Sequence, residues 1–189
     1  MAATFPSRKP SASDLAAARG RGVRDLIRPE LRLLFCGINP SLYSAAVGHH
    51  FARPGNRFWK TLTLAGFTPR TLSPAEEEEL LVRGIGVTNV VDHATASAAE
   101  LTPDDYASGA RQLARKVRRT RPQCVAFLGL DAYRRVTAQP RARLGLQPLD
   151  FAGVRTWALP NPSGLNAHYQ LPELAAAYRE LATELGFTR

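Results

Sequence analysis

The chain has 189 residues, 44% of them hydrophobic, a formal net charge of +9 and a pI of about 10.4. This length and apolar content suit one domain with a real core, and the positive charge favours an acidic partner, nucleic acid first and an anionic membrane surface second. The composition excludes a disulfide framework, because there are only two cysteines and both lie in apolar runs, and no apolar stretch approaches transmembrane length. We therefore expect a cytoplasmic protein.

The first 22 residues are rich in alanine, serine, arginine and glycine and show no sustained periodicity. This composition predicts a flexible basic arm over residues 1–22. From about residue 23 the pattern is that of a globular protein, so we expect a single domain over residues 23–189.

Buried strands alternate with helices along that domain. Apolar runs predict strands at 31–36, 85–91, 124–128 and 154–159. Helix start signals occur at Ser73 and Thr102, each followed by proline, and an apolar periodicity predicts a last helix from about Leu171. The alternation indicates an α/β fold with a central, mainly parallel β-sheet and helices on both faces. In such folds the working site lies at the carboxyl ends of the strands.

The first of these strand ends carries the segment Gly-Ile-Asn-Pro-Ser at 37–41. Gly37 permits close backbone approach to a ligand, and Pro40 restricts Asn39 to an extended conformation. The Asn39 amide can hold a water or a carbonyl, but it cannot act as an ordinary general base. The alternative is a simple strand-to-loop turn that uses these residues for their turn preferences.

Aromatic and basic residues interleave in the segment 51–60, as in surfaces that stack bases and contact phosphates. Phe58 and Trp59 suit the core face of a helix, whereas Phe51 precedes that helix and is the better stacking candidate. Further on, Asp92 follows the apolar pair Val90-Val91 at the end of the predicted strand 85–91, on the same edge as Asn39. Asp92 could assist the chemistry as a base or an anion, or it could cap the next turn.

Residues 111–143 hold ten arginines and lysines against one acid, Asp131. This stretch predicts non-specific phosphate affinity, with a solvated face as the alternative. The last strand end carries Asn-Pro-Ser-Gly-Leu-Asn at 161–166. Leu165 in that polar loop is either tucked into a neighbouring core or an exposed wedge that enters a base stack.

The sequence offers no anchor for a cofactor. No two of the four histidines have helical metal-ligand spacing, and no P-loop or Gly-x-Gly-x-x-Gly motif occurs. We therefore expect neither a metal nor a nucleotide cofactor.

Taken together, these segments resemble the mismatch-specific uracil-DNA glycosylases, the bacterial relatives of thymine-DNA glycosylase. The resemblance runs in the same order from about residue 25 and rests on residues 37–40, 51–60, 86–88, 91–92 and 161–165. It implies hydrolysis of the N-glycosidic bond of uracil and some modified pyrimidines, especially opposite guanine, with no cofactor. The partner implied is double-stranded DNA with G·U or related mispairs, and we expect a monomer.

The resemblance also implies roles for individual residues. Asn39 would position the attacking water, with Asp92 as a second catalytic candidate. The residues expected to bind the flipped base are Gly37, Ile38, Ser41, Ser44, Phe51 and Asn161. The residues expected to contact DNA are Ser163, Gly164, Leu165, Asn166, Arg57 and Lys60. Asn166 and Ala167 depart from the family, which often has a small hydroxyl residue followed by arginine there, so guanine reading is expected to be weaker.

Two other functions fit the same residues. One is a non-catalytic sensor of nucleic-acid damage in which Asn39 only binds a ligand. The other is a hydrolase of small nucleosides, against which the basic stretch and the wedge loop both argue. Release of uracil from a labelled duplex separates the first from an enzyme, and failure to bind DNA would favour the second.

Overall fold

The computed structural model describes residues 9–188. Its strands are β1 (Leu33–Gly37), β2 (Ile85–Asn89), β3 (Cys124–Leu128), β4 (Gly145–Leu146) and β5 (Arg155–Leu159). Its α-helices are α1 (Ala12–Ala17), α2 (Leu42–Val47), α3 (Phe58–Ala65), α4 (Glu79–Val82), α5 (Pro103–Thr120), α6 (Leu130–Thr137) and α7 (Leu171–Glu184). Two short 3₁₀ turns lie at Pro74–Glu76 and Ala98–Glu100.

The strands form one sheet in the order β2-β1-β3-β5-β4. All pairs are parallel except β4, which runs antiparallel to β5. The three strands β1, β2 and β3 are buried at every residue, as expected for a parallel sheet covered on both faces. The predicted α/β fold with a central, mainly parallel sheet is therefore confirmed.

Each face of the sheet carries its own hydrophobic core. On one face α3 and α7 pack together, and Phe35 of β1 contacts the rings of Phe58, Phe67 and Tyr178. On the other face α5 and α6 pack together, and Phe127 of β3 contacts the ring of Tyr133. Because both faces are covered, a substrate can approach only at the edges of the sheet, and in such folds the site lies at the carboxyl edge.

The predicted flexible arm over residues 1–22 is wrong from Ser11 onward, and residues 1–8 lie outside the described residues. Ser11 caps α1 through a reciprocal capping box with Asp14. Ala18 is fully buried against Ala45 and Ala94. Small alanine side chains allow this close packing, so a composition typical of a flexible segment forms part of the packed domain instead. The single domain accordingly begins before residue 23.

The two cysteines are free and buried, as the sequence predicted. Burial raises the pKa of Cys124 to about 12 and that of Cys36 further still. Both thiols are therefore neutral and unreactive. No helix within residues 9–188 is long and apolar enough to cross a membrane.

Candidate active site

A cavity of about 290 Å³ opens at the carboxyl edge of the sheet. Its walls come from the ends of β1, β2, β3 and β5 and from the loops that follow them. Nine of the residues predicted from sequence line it: Gly37, Ile38, Asn39, Ser41, Ser44, Phe51, Asn161, Ser163 and Leu165. The topology therefore brings three segments that are distant in sequence to one place, because parallel strands end at the same edge.

Asn39 is held in one orientation by two hydrogen bonds. Its Nδ2 donates to the carbonyl oxygen of His93 at 3.1 Å and to Oγ1 of Thr95 at 2.8 Å. A carbonyl oxygen cannot donate, so the amide nitrogen must face it. Thr95 Oγ1 donates in turn to the carbonyl of Ser97, which leaves its lone pairs for Asn39. The Asn39 Oδ1 accepts no hydrogen bond from residues 9–188, so this acceptor is available to a water or a ligand.

Gly37 is needed for the cavity to have its shape. A Cβ placed at this residue would overlap Oδ1 of Asn89 and would lie 3.4 Å from the ring of Phe51. Asn89 ends β2, is 5% exposed and lines the cavity, and its side-chain amide makes no hydrogen bond within the described residues. The amide therefore offers a donor and an acceptor to a ligand beside Phe51.

Asn89 is a site residue that the sequence analysis missed. The apolar run 85–91 was taken as one strand, which placed the strand end at Asp92. The structure ends β2 at Asn89 instead. The single polar amide inside an otherwise apolar run was the signal that could have identified it, because a buried amide without a partner is costly unless a ligand pairs with it.

Phe51 lies against Phe58 with the ring centroids 4.0 Å apart in a stacked arrangement. Its backbone has a φ of 52°, a left-handed conformation that is uncommon for a bulky residue. The neighbouring backbone is fixed from two sides, because the Ala52 N–H donates to Oγ of Ser44 and the His50 N–H donates to Oε2 of Glu77. The aromatic ring is thus held in place before any ligand binds.

A buried group of ionisable side chains supports the Phe51 segment from behind. Glu77 contacts Nδ1 of His49 at 2.9 Å through its other carboxylate oxygen. His50 lines the cavity, and its Nε2 lies 3.0 Å from the carbonyl of Arg24. Nε2 must therefore carry the proton, and burial lowers the pKa of His50, so this imidazole is neutral at pH 7.

Ser41 and Ser44 tie the first cavity loops together. Ser41 caps α2 by accepting from the Ser44 N–H, and its hydroxyl donates to the Ser44 hydroxyl at 3.1 Å. The hydroxyls are therefore committed to each other and to Ala52. Both serines line the cavity with small side chains, which leaves space that a larger residue would fill.

The loop at 161–166 projects over the cavity mouth. Asn161 Oδ1 accepts from the Ser163 N–H, and Asn166 Nδ2 donates to the Asn161 carbonyl, so the loop is closed on itself. Leu165 is 68% exposed and lines the rim of the cavity. Leu165 is therefore not packed into a neighbouring core. Its exposure agrees with the alternative, a side chain that can enter a base stack.

Arg57 was predicted to contact DNA, and the structure shows its side chain turned toward a neighbouring loop of the protein. Its guanidinium donates to the carbonyl oxygens of Ser163, Asn166 and Tyr169, and its backbone N–H donates to the Pro162 carbonyl. These bonds occupy the guanidinium with the loop at 161–169. Arg57 therefore holds the loop that carries Leu165 instead of reaching a phosphate.

The other predicted DNA contacts outside the cavity lining are Gly164, Asn166 and Lys60. Gly164 packs so closely on Gly55 that a Cβ would lie 2.5 Å from the Gly55 carbonyl oxygen. Asn166 uses its side chain within the loop. Lys60 is exposed on α3, one turn beyond Arg57. Of these three, only Lys60 has a side chain placed as a phosphate ligand requires.

Asp92, which was expected to share the chemistry with Asn39, does not line the cavity. Its carboxylate accepts from Nζ of Lys116 at 2.9 Å, and Lys116 also pairs with Asp25 at 2.8 Å. The reason is the early end of β2: Val90 and Val91 continue into the core behind the sheet and carry Asp92 to the α5 side. No aspartate or glutamate of the described chain lines the cavity.

No group of three or more histidine, cysteine, aspartate or glutamate side chains that could hold a metal occurs among residues 9–188. The cavity presents amides, hydroxyls, a neutral imidazole, an aromatic ring and the guanidinium of Arg53. Such groups can bind a flat polar ring and orient a water, but none of them is a strong acid or base at neutral pH.

This architecture defines a class: an α/β protein with its site at the carboxyl edge of a parallel sheet, built around an oriented asparagine. The family model of the Uracil DNA glycosylase superfamily matches residues 24–183. The chain belongs to this superfamily, so its role is that of a DNA glycosylase and its substrate is DNA. A solution structure from Methanosarcina acetivorans, described as a candidate uracil DNA glycosylase, has the same fold: the TM-score is 0.59 at 19% identity, over 86% of this chain and 98% of that one.

Proposed function

We propose that this protein is a mismatch-specific, monofunctional uracil-DNA glycosylase. It flips uracil, and some modified pyrimidines, out of a duplex in which they face guanine, and hydrolyses the N-glycosidic bond to leave an abasic site. The observation that carries the proposal is the oriented Asn39, with its Oδ1 facing no protein donor at the edge of a base-sized cavity. We also propose that the protein acts as a monomer in the cytoplasm.

Cleavage of the N-glycosidic bond requires stabilisation of opposite charges on the sugar and on the base. As uracil leaves C1′, positive charge develops on the sugar and negative charge on the base. Asn39 Oδ1 accepts a hydrogen bond from a water and holds it near C1′, where the sugar cation is reactive enough to be captured by that water. The proton that the added water loses passes to the departing uracil anion or to solvent, because no carboxylate among residues 9–188 lines the cavity to take it or to stabilise the cation. The enzyme therefore turns over slowly compared with an enzyme that has a carboxylate in this place.

The base is recognised by stacking and by its polar edge. Phe51 stacks on the flipped ring, supported from behind by Phe58. The Asn89 amide, beside Gly37, pairs with the edge of uracil, since it can donate to a carbonyl and accept from a ring N–H. A hydrogen bond to a pyrimidine carbonyl strengthens as the base gains negative charge, so it lowers the barrier as well as aiding binding. The small Ser41 leaves room for ring substituents.

The opposite strand is handled by the loop at 161–166. A target base inside a duplex must be extruded at a cost of a few kcal/mol, which is smallest at a mismatch. Leu165, exposed at the rim, fills the gap that the flipped nucleotide leaves. The Asn166 side chain is already engaged with Asn161 and His168. Guanine is therefore read mainly by loop backbone groups, and preference for G·U over A·U comes largely from the weaker pairing of the mismatch.

The experiment is uracil release from labelled duplexes with EDTA present, over G·U, A·U and single-stranded substrates. We expect release from G·U to be fastest among the duplexes and to survive chelation. Tight binding of G·U without release of the base would instead make the protein a damage sensor. Release lost on chelation and restored by one metal would contradict the proposed chemistry.

A further inference from the structure

The outer face of α5 carries Arg111, Arg115, Arg118 and Arg119, which we call the arginine face. All four side chains are exposed. Their spacing of 4, 3 and 1 places them on the side of the helix opposite the buried Leu113 and Val117. At 1.5 Å per residue, Arg111 and Arg118 lie about 10 Å apart along the helix axis. The face is thus a straight row of positive charges.

These charges lack the acidic partners that some other arginines of this surface have. Arg24 pairs with Glu78, Arg70 with Glu76 and Arg155 with Glu184. None of the four arginines of the face forms an ion pair within residues 9–188. Like charges three and four residues apart destabilise an isolated helix. A bound polyanion would reduce the repulsion among these unpaired charges more than water alone does.

The arginine face does not belong to the surface around the cavity. Helix α5 leaves β2 at the carboxyl edge and returns to β3, which begins only four residues after Thr120. Arg118 and Arg119 therefore lie near the amino edge of the sheet, opposite the edge where the cavity opens. The face also points outward from the layer formed by α5 and α6. The C-terminal part of the arginine face and Leu165 therefore lie at opposite edges of the sheet.

We propose that the arginine face is a second DNA-binding surface that holds the backbone of another duplex segment. Guanidinium groups match phosphate oxygens through paired N–H donors, and a row of them follows a line of phosphates without reading bases. Such binding is non-specific and salt-sensitive. It lets the protein hold one segment while the cavity inspects another. The proposal is independent of uracil chemistry, so it can fail or succeed separately from the proposed glycosylase activity.

The test is the number of short, undamaged duplexes bound per full-length chain at low salt, measured by sedimentation or native mass spectrometry. The test variant is Arg111→Gln/Arg115→Gln/Arg118→Gln. The matched control is Arg24→Gln/Arg70→Gln/Arg155→Gln, which removes the same charge from ion-paired arginines elsewhere. Melting temperatures check that each variant is folded.

We expect two duplexes per chain for the wild type and the control, and one for the test variant. In a plot of log binding constant against log salt concentration, each phosphate contact contributes about 0.9 to the magnitude of the slope. The second duplex should therefore show a slope of about 2.7 for three arginines. One duplex per wild-type chain, or two on the test variant, would overturn the proposal. If the test variant keeps two duplexes but loses binding to phosphatidylglycerol vesicles, the face binds membranes and the proposal is also overturned.

Discussion

At the scale of single residues, the account depends on one side chain that cannot be ionised. Asn39 has its donor atoms fixed by His93 and Thr95, and only its acceptor is left for water. An amide held in this way orients a water at little entropic cost at the moment of reaction. It does not remove the proton, so its contribution is positional.

The first prediction concerns the residue that holds the amide. Thr95→Ala removes one acceptor for Asn39 Nδ2, so the amide can rotate away from its productive orientation. A hydrogen bond of this kind is worth about 0.5–1.5 kcal/mol, so the chemical rate should fall about 2- to 10-fold while binding of a G·U duplex is kept. Single-turnover kinetics measures the rate. Thr95→Ser keeps the hydroxyl and should retain the wild-type rate; equal losses in both variants would show that the hydroxyl is not what matters.

The second prediction concerns Leu165. Leu165→Ala should reduce uracil release from duplexes much more than from single strands, because only a duplex has a gap to fill. The side chain is 68% exposed, so the melting temperature should change little. The two substrates are compared in one assay with melting curves alongside. Equal losses on both substrates, together with a large drop in melting temperature, would indicate a packing role.

Some residues of the site could be predicted from sequence because strands and helices alternate along the chain, which places the end of each strand at one edge of the sheet. Asn39 and Asn161 each stand just after a buried strand, and parallel strands end together. Asp92 and Asn89 show where this reasoning fails. Only two residues, Val90 and Val91, separate them, and both are apolar, so the sequence alone does not show where the strand stops.

At the scale of elements, the rim of the cavity is two loops joined by Arg57. Its guanidinium reaches three carbonyls of the loop at 161–169, and Gly164 lies directly against Gly55. The sequence could not show this, because an arginine beside aromatic residues looks the same whether it faces phosphates or backbone carbonyls. The structure gives the arginine a positioning task.

The third prediction distinguishes two roles of Arg57, holding the loop at 161–169 and binding a DNA phosphate. Arg57→Gln should loosen the loop that carries Leu165 and reduce excision from duplexes more than from single strands. The slope of log binding constant against log salt concentration should stay unchanged, because no phosphate contact is lost. Lys60→Gln is the matched control, since Lys60 is exposed nearby on α3, and it should lower the slope by about 0.9. A lower slope for Arg57→Gln as well would return Arg57 to the phosphate-binding residues.

The fourth prediction concerns the buried group behind Phe51. Burial lowers the pKa of His50 from its ordinary value of 6.5, despite the opposing effects of Glu77 and Asp25. Unfolding therefore takes up a proton between the folded pKa and 6.5, so stability is fully present above 6.5 and is lost as pH falls through that window. One proton is worth at most 1.36 kcal/mol per pH unit, or roughly 3–5 °C in melting temperature.

Melting curves between pH 7.5 and pH 5 test this directly. His50→Gln can still donate to the Arg24 carbonyl but cannot titrate, so its melting temperature should fall less steeply over the same range. His49 and Glu77, which contact each other beside His50, are unchanged in the variant and serve as the common background. Identical slopes for the wild type and His50→Gln would show that His50 does not control this dependence.

Predicted elements succeeded where a cap or a long apolar face marked them. Helix α5 begins at the proline after Thr102, with the reciprocal capping box formed to Asp105. The similar signal at Ser73 gives only a 3₁₀ turn and then the short α4. Between them Glu77 turns inward to His49 and His50, a tertiary interaction that overrides the local preference for a continuous helix.

At the scale of the whole molecule, the charge is divided between two edges. The cavity edge carries Arg53 and Lys60 beside the wedge loop, whereas the dense arginines of α5 lie toward the opposite edge. The net charge predicted an acidic partner, but only the topology shows that most of the basic stretch is turned away from the cavity. The N-terminal segment shows the same limit, because its packing depends on Ala45 and Ala94, which are distant in sequence.

The most direct test of the central claim is single-turnover excision on a G·U duplex by the wild type and by Asn39→Ala, with EDTA present. The account predicts that the wild type releases free uracil and leaves an abasic strand that breaks only in alkali. It predicts that Asn39→Ala binds the duplex with similar affinity but cuts the chemical rate by about 100-fold or more. An unchanged rate in Asn39→Ala would contradict the account, because the water would then be held by another group.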